Sequence, residues 1–251
     1  MSASSKILLE TKGMSKTFGG LKAVDNVSIA LREGIVTTLV GPNGAGKTTL
    51  FNLITGHLNP DAGEVTWLGD SIKGVPHWKI AQAGIGRTFQ DLKLFDQMTV
   101  LENTLTVTER GSWFWQSGGK SAKAERRERA EDALEKVGLA DRRDARALDL
   151  AYAERKFLSI ARILSSGARL WLLDEPASGL DRGSYERFIA LLRDQLSQGI
   201  TICIIEHNLD IVQGISDRIA FLDQGRLLAE GDPKTILADP ALAAIYFGER
   251  A

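Results

Sequence analysis

The sequence feature that most constrains the fold is a glycine-rich segment that directly follows an apolar run. The run Ile35 to Val40 predicts a buried strand, and residues 41–48 have the spacing Gly-x-x-x-x-Gly-Lys-Thr. Glycines let the backbone bend so that successive N–H groups face one anion, and a helix that begins at Lys47 adds its positive N-terminal end. We therefore predict a phosphate-binding loop between a strand and a helix of an α/β protein.

Two side chains of this loop suit nucleoside triphosphate chemistry. Lys47 can reach the β- and γ-phosphates, and the Thr48 hydroxyl can bind Mg²⁺, so a nucleoside triphosphate with Mg²⁺ is predicted to bind here. Phe18, upstream in a β-rich segment, is placed either to stack on a purine ring or to pack in the core or against a turn. The candidate nucleotide-binding residues are Phe18, Gly41, Pro42, Asn43, Gly44, Ala45, Gly46, Lys47, Thr48 and Thr49.

Composition and charge exclude several other classes of protein. The 251 residues, 43% hydrophobic and 25% charged, are enough for one large α/β domain or two small ones. A net charge of −1 gives no sign of nucleic-acid binding through bulk charge. The first ten residues are too short and polar for a signal peptide, and no run approaches ~18 apolar residues. We therefore expect any membrane role to come through a partner.

Acidic residues end a second predicted buried strand, at residues 169–175. Asp174 is expected to hold Mg²⁺, directly or through water, and Glu175 to polarise a water in line with the γ-phosphate. His207 follows a third apolar run, residues 200–205. It lies either at the edge of a parallel sheet where ligands bind or as an ordinary surface or core histidine.

Residues 93–165 differ from the rest of the chain, because glycine thins out and helical periodicity takes over. Residues 121–137 form the clearest helix, with Ser121 as a possible N-cap and Gly138 as its end. We predict that this region is a helical insertion into an α/β core formed by residues 1–92 and 166–251, in a single domain.

Three smaller features complete the prediction. Trp113 and Trp115 lie in a glycine–serine segment, where they pack on the helical region or contact a partner or a membrane surface. Cys203 falls within an apolar run and is expected to be a buried thiol. Residues 183–198 read as an amphipathic helix, and residues 217–230 as a hairpin.

Taken together, the motifs resemble the nucleotide-binding subunit of ABC transporters over essentially the whole chain. Five features occur in the family's order and spacing: the phosphate loop, Gln90, the helical insertion, the strand ending at Asp174 and Glu175, and His207. The resemblance implies a P-loop ABC ATPase core with an N-terminal antiparallel β subdomain and an inserted helical subdomain. Its signature slot holds Leu150, Ala151, Tyr152, Ala153 and Glu154, and its dimer-contact loop holds Ser178, Gly179, Leu180 and Asp181.

The resemblance also implies a role for each site residue. In the family, the residue at the position of Gln90 contacts Mg²⁺ and the attacking water, and couples the site to the transmembrane partner. Glu175 takes the place of the general base, and His207 that of the residue that contacts the γ-phosphate. Phe18 takes the adenine-stacking place.

Narrower motifs resemble the branched-chain amino acid importer group, among them Gly-Arg-Thr-Phe-Gln at residues 86–90 and the short C-terminal tail. Subunits for urea import and lipopolysaccharide export share parts of this set. The resemblance implies permease subunits, a second ATP-binding subunit and, indirectly, a periplasmic substrate-binding protein as partners, without nucleic acid. It implies a peripheral place on the cytoplasmic face of the inner membrane. The alternatives are a P-loop small-molecule kinase and a non-transport ABC ATPase of DNA repair or translation.

The signature slot departs from the family pattern. The family usually has Leu-Ser-Gly-Gly-Gln, and this group often Leu-Ala-Tyr-Gly, whereas here Ala153 stands at the glycine position. In the family this segment contacts the γ-phosphate bound to the opposite subunit, through a serine hydroxyl and a glycine N–H. Ala151 has no hydroxyl, and Ala153 adds a methyl group where the backbone approaches closely. The contribution of this chain to its partner's site is therefore expected to be weakened.

Overall fold

The computed structural model describes residues 6–108 and 120–247, which form two compact units. The first unit contains residues up to 87, residues 169–176 and residues from 195 onward. The second contains residues 88–168 and 177–194. The predicted insertion, residues 93–165, falls within the second unit, whereas the division of the chain into domains stays a prediction. Trp113 and Trp115 lie outside the described residues.

Strands and helices are mixed along the chain, as expected of an α/β protein. The strands are β1 (Ile7–Phe18), β2 (Leu21–Val27), β3 (Ala30–Arg32), β4 (Val36–Val40), β5 (Ala62–Trp67), β6 (Asp70–Ser71), β7 (Ile85–Arg87), β8 (Leu170–Asp174), β9 (Thr201–Ile205), β10 (Arg218–Asp223) and β11 (Arg226–Gly231). The helices are α1 (Lys47–Ile54), α2 (His77–Gln82), α3 (Val100–Leu105), α4 (Lys120–Lys136), α5 (Tyr152–Ser166), α6 (Arg182–Ser197), α7 (Leu209–Ile215), α8 (Pro233–Leu237) and α9 (Pro240–Phe247).

The first unit is built on a six-stranded sheet with the order β11-β10-β4-β9-β8-β7. The five strands from β10 to β7 are parallel, and β11 pairs antiparallel with β10. Strands β4, β8 and β9 are buried along their whole length, as continuous apolar runs in a parallel sheet require. The predicted buried thiol is confirmed, because Cys203 in β9 is fully buried.

A second, antiparallel sheet in the same unit is centred on β1, which pairs with β2, β3 and β5. Strand β6 extends the sheet from β5. The predicted antiparallel part therefore contains more than the N-terminal strands, since β5 and β6 join it after the chain has passed through β4 and α1. Leu8, Leu9 and Met14 of β1 lie in one apolar core with Leu50 and Phe51 of α1.

The second unit is helical in the part described, with α3, α4 and α5 packed together. Helix α3 begins with a capping box, in which Thr99 and Glu102 satisfy each other's backbone N–H groups. Helix α4 buries the face formed by Ala130, Ala133 and Leu134, as predicted.

The N-cap prediction for α4 is wrong. The helix already begins at Lys120, so Ser121 lies within its first turn. Gly138 follows the helix with φ +70°, a left-handed conformation that glycine adopts without steric cost. Among the described helices, none is both long and apolar enough to cross a membrane.

Candidate nucleotide-binding site

The register of the parallel sheet brings three predicted site segments to one edge. Leu39 of β4 and Asp174 of β8 are both paired with Ile205 of the strand between them, β9. The carboxyl ends of these strands are therefore level. The phosphate-binding loop, the Asp174–Glu175 pair and His207 all follow directly after this line, where ligands of open α/β sheets bind.

The loop after β4 has the backbone that its glycines predict. Gly41 has φ +143° and Gly46 has φ +97°. A Cβ atom at Gly41 would collide with the carbonyl oxygen of Leu222, and one at Gly46 with that of Ala23. Any side chain at either position would therefore displace the loop from the neighbouring backbone, since carbonyls of a packed sheet have nowhere to move.

Lys47 is held inside this loop. Its Nζ donates hydrogen bonds to the carbonyl oxygens of Gly41 (2.7 Å) and Pro42 (2.9 Å), and the residue is only 8% exposed. Burial lowers the pKa of Lys47, whereas the nearby carboxylates of Glu175 and Asp174 oppose that shift. The ammonium group thus lies between the loop backbone and two acids, where a phosphate would meet it.

Asp174 is the most buried acid of the candidate site. Its side chain is 2% exposed, and burial raises its pKa against the opposing effect of Arg87 and Thr48. Thr48 Oγ1 lies 3.5 Å from Asp174 Oδ1. Thr48 and Asp174, two of the three predicted metal ligands, are therefore brought together, and both offer the oxygen atoms that Mg²⁺ prefers.

The described residues contain no group of three or more His, Cys, Asp or Glu side chains that could hold a metal on their own. A site with two protein oxygens, completed by phosphates and water, is how proteins commonly hold Mg²⁺. The side chains present therefore fit this ion when it arrives with a nucleotide.

Glu175 has an unusual backbone at the end of β8. Its φ is +47°, in the left-handed region that non-glycine residues rarely adopt, and its N–H donates to the carbonyl of Ile205. Its carboxylate Oε1 lies 3.8 Å from Nδ1 of His207. The strand end thus directs Glu175 toward the histidine of the neighbouring strand, and such strain often accompanies function.

Phe18 ends β1 with 45% of its surface exposed, which rules out the alternative of a core residue. Lys16 Nζ lies 5.7 Å from the centre of its ring. The side chain is therefore partly exposed at the end of a hairpin, as stacking on a base requires.

The remaining predicted site residues lie in the second unit. Gln90 is exposed, and the signature segment begins helix α5. Glu154 accepts a hydrogen bond from the N–H of Ala151 (2.8 Å), whereas Ala151 has no side-chain acceptor to return it. The exposed Tyr152 packs against Gly179, and a Cβ at that glycine would collide with the ring.

The dimer-contact loop leads into helix α6. Asp181 caps that helix by accepting hydrogen bonds from the N–H (3.0 Å) and the hydroxyl (2.8 Å) of Ser184, which lower its pKa. Ser178 and Leu180 are half-buried before it. The roles of Gln90, the signature and this loop at a nucleotide stay predictions.

Two residues at the site were not predicted from the sequence. Arg87 contacts Asp174, and the hydroxyl of Tyr246 on α9 donates a hydrogen bond to the carbonyl of His207. Arg87 lies two positions after the buried Ile85 and so on the same face of its strand, where a charged residue needs a buried partner. No comparable signal connects Tyr246 to His207, because they are far apart in sequence.

Comparison with known proteins identifies the relatives of this chain. The ABC transporter family model matches residues 24–178. The chain is 40% identical to the high-affinity branched-chain amino acid transport ATP-binding protein LivG of Salmonella typhimurium, over 98% of this chain and 99% of the relative. It is 38% identical to the BraF protein of the same description from Pseudomonas aeruginosa, with the same coverage. The similarity to the branched-chain group that the motifs indicated is confirmed.

Solved structures agree. A nucleotide-free ATP-binding cassette from an ABC transporter has a TM-score of 0.85 and 33% identity, covering 96% of this chain and 99% of that one. An ATP-binding cassette in its ADP conformation has a TM-score of 0.85 and 34% identity, covering 97% and 100%. The predicted fold class is confirmed, and the kinase alternative is excluded. The chain therefore belongs to the ABC transporter family, and it is an ATP-binding subunit and an ATPase.

Proposed function

We propose that this chain powers an importer of branched-chain amino acids or of related amino acids and amides. The observation that carries the proposal is the similarity to LivG and BraF over nearly the full length of each chain. The site geometry supports it, because the loop after β4, Asp174 and Glu175 meet at one edge of the sheet. Substrate identity rests on these relatives alone, since an ATP-binding subunit does not itself hold the transported molecule.

The phosphate loop and the hairpin end bind ATP in this proposal. Backbone N–H groups of the loop after β4 and the Lys47 ammonium hold the β- and γ-phosphates, while Phe18 stacks on the adenine. Thr48 and Asp174 would hold Mg²⁺ by oxygen atoms, and the role that the family resemblance gives to Gln90 stays a prediction. When bound, the ion neutralises charge on the phosphate oxygens.

Glu175 is the proposed general base. Its carboxylate takes a proton from the attacking water, the water oxygen bonds to the γ-phosphorus, and ADP leaves with the bridging oxygen. His207, within reach of Glu175, is proposed to contact the γ-phosphate. The left-handed backbone of Glu175 costs ~1–3 kcal/mol, and the hydrogen bond to Ile205 helps to hold it in place.

The proposed transporter also contains partner subunits. We assign the signature, residues 150–154, and the loop of residues 178–181 to the surface that meets a second ATP-binding subunit. Permease subunits receive the motion of that dimer, and a periplasmic substrate-binding protein delivers the cargo to them. The chain would then be peripheral, on the cytoplasmic face of the inner membrane.

The chemical part of the proposal is tested with Glu175→Gln in the assembled transporter. The amide fills the same space but cannot take a proton, so turnover is expected to fall ~10²–10⁴-fold while MgATP still binds. The matched control is Glu33→Gln, because Glu33 is a partly exposed acid of the same unit whose carboxylate pairs with Arg169. Near wild-type turnover in Glu175→Gln would remove this residue from the role of base.

The substrate is tested by uptake. Cells that lack the chain should lose import of labelled leucine, isoleucine and valine, and a plasmid carrying the wild-type chain should restore it, whereas the Glu175→Gln chain should not. Labelled urea and surface lipopolysaccharide are measured in the same cells. Intact branched-chain amino acid uptake together with lost urea uptake or lost lipopolysaccharide export would contradict the proposed substrate.

A further inference from the structure

Arg87 is a buried cation beside the proposed magnesium ligand. It ends β7, and its side chain is only 4% exposed. Its Nη2 lies 3.5 Å from Oδ2 of Asp174, whose side chain is 2% exposed. Taking both charges out of water costs free energy that their attraction often fails to repay. The pair is therefore poorly explained by fold stability alone.

Helix α1 holds the other side of the guanidinium group. Nη1 donates hydrogen bonds to Asn52 Oδ1 (2.7 Å) and to Thr55 Oγ1 (3.1 Å). The guanidinium carbon lies 5.6 Å from the centre of the Phe51 ring. A planar guanidinium with donors in fixed directions is well suited to set an orientation. Arg87 thus connects the helix that follows the phosphate loop with the acid that ends β8.

The two carboxylate oxygens of Asp174 face different partners. Oδ1 lies 3.5 Å from the hydroxyl of Thr48, and Oδ2 faces Arg87. Rotation of the carboxylate would break both contacts at once. The oxygen near Thr48 is therefore kept on the side where both proposed ligands can reach one ion.

We propose that Arg87 is a positioning residue that orients the Asp174 carboxylate for Mg²⁺ bound with the nucleotide. The inference rests on the proposed function, which assigns Thr48 and Asp174 to the metal. Arg87 itself touches neither the nucleotide nor the ion in this proposal. It acts through Asp174 by an ion pair, and the loss of a group that holds a metal ligand in place typically costs ~10–100-fold in metal affinity or activity.

The test compares ATP affinity with Mg²⁺ and with EDTA in the full chain, by titration calorimetry. Arg87→Met keeps much of the side-chain length but removes the charge and the donors. It should lose ~10–100-fold of the affinity measured with Mg²⁺ and change the affinity in EDTA by less than ~3-fold. Arg87→Lys keeps the charge without the planar fork and should lose less. The Mg²⁺ concentration for half-maximal ATPase activity should rise in parallel.

Arg169→Met is the matched control. Arg169 directly precedes β8, the strand that ends at Asp174, and its guanidinium pairs with Glu33 at 3.0 Å, with half of the Arg169 side chain exposed. The Arg169→Met variant should leave both ATP affinities unchanged.

If Arg87→Met fails to fold, Asn52→Ala is the second variant. It removes a neutral hydrogen-bond partner of the guanidinium and leaves the ion pair, so a smaller loss of ATP affinity, seen only with Mg²⁺, is expected. Equal losses with and without Mg²⁺, or none, would overturn the positioning role. A wild-type chain that gains no affinity from Mg²⁺ would overturn the magnesium assignment itself.

Discussion

At Lys47, burial works against the charge that nucleotide binding needs. The pKa of its ammonium is lowered by burial, so the folded chain binds this proton less tightly than the unfolded chain does. Stability contributed by this group is therefore present above the unfolded pKa, near 10.5, and is lost as pH falls through the lowered folded pKa. A phosphate held by the ammonium would offset that cost.

The lowered pKa of Lys47 predicts how the stability of Lys47→Met compares with that of the wild type as pH changes. As pH rises from 8 toward 10.5, the wild type should gain stability relative to the variant, and the difference between their urea midpoints should shift accordingly. Unfolding curves at several pH values measure it, with the surface variant Lys12→Met as control, since the Lys12 side chain is 65% exposed. A midpoint difference that is constant across this window would contradict a buried, destabilised charge.

Phe18 gives a prediction about nucleotide choice. Stacking on a base is worth ~1–3 kcal/mol, so Phe18→Ala should weaken ATP binding by ~5–150-fold. Because phosphate contacts remain, the affinities for inorganic triphosphate should not change. Titration of ATP and of triphosphate into both proteins separates the two contributions, and Leu21→Ala in the same hairpin, 72% exposed, serves as control. Unchanged ATP affinity would leave Phe18 with a purely structural role.

Single residues show how far sequence reasoning reached. The glycines of the loop, Lys47 and Asp174 were predictable because short-range spacing and an apolar strand determine their surroundings. Arg87 was missed because its burial depends on Asn52 and Thr55, which reach it only through tertiary packing. The left-handed backbone of Glu175 leaves no mark in the residue pattern either.

At the scale of elements, the residue pattern placed both ends of β4, β8, β9, α4 and α6 within one residue. Two details of the elements differ from the prediction. The start of α4 was predicted at Ser121, but the helix already includes Lys120. A residue whose backbone is helical cannot be the N-cap, so Ser121 does not have that role. The return of strands β5 and β6 to the sheet of β1 is a long-range pairing that no local pattern encodes.

Tyr246 on helix α9 gives a prediction about turnover. The hydroxyl of Tyr246 donates a hydrogen bond to the carbonyl of His207, and the Tyr246 ring lies edge-on to the Phe221 ring, with the ring centres 6.4 Å apart. Tyr246→Phe keeps the ring and removes one hydrogen bond, worth ~1 kcal/mol. We expect kcat of the ATPase to fall about fivefold, with little change in ATP affinity. Equal effects on binding and turnover would argue that α9 supports the whole site rather than the histidine backbone.

At the scale of the whole molecule, the signature segment contrasts with the phosphate-binding side. The loop after β4 keeps Lys47 and Thr48, and Glu175 follows β8 as the family requires. The N-terminus of α5 begins instead with Ala151 and, in its first turn, Ala153. The signature of one subunit is proposed to close the site of the other. A dimer of two copies of this chain would then have both sites closed by the altered segment.

The last prediction follows from that asymmetry. A hydrogen bond to a charged group is worth ~1.5–3 kcal/mol, or ~10–150-fold in rate when it acts in the transition state. The isolated chain should therefore be a slow ATPase, and Ala151→Ser with Ala153→Gly should raise its turnover by at least tenfold while leaving ATP affinity unchanged. Steady-state rates measure the gain, and Ala140→Gly, outside the signature, is the control.

In a complex with a different cassette, Glu175→Gln in this chain should reduce turnover more than the matching change in the partner. Brisk turnover by the isolated wild-type chain, or equal losses from the two glutamine variants, would show that Ala153 is tolerated.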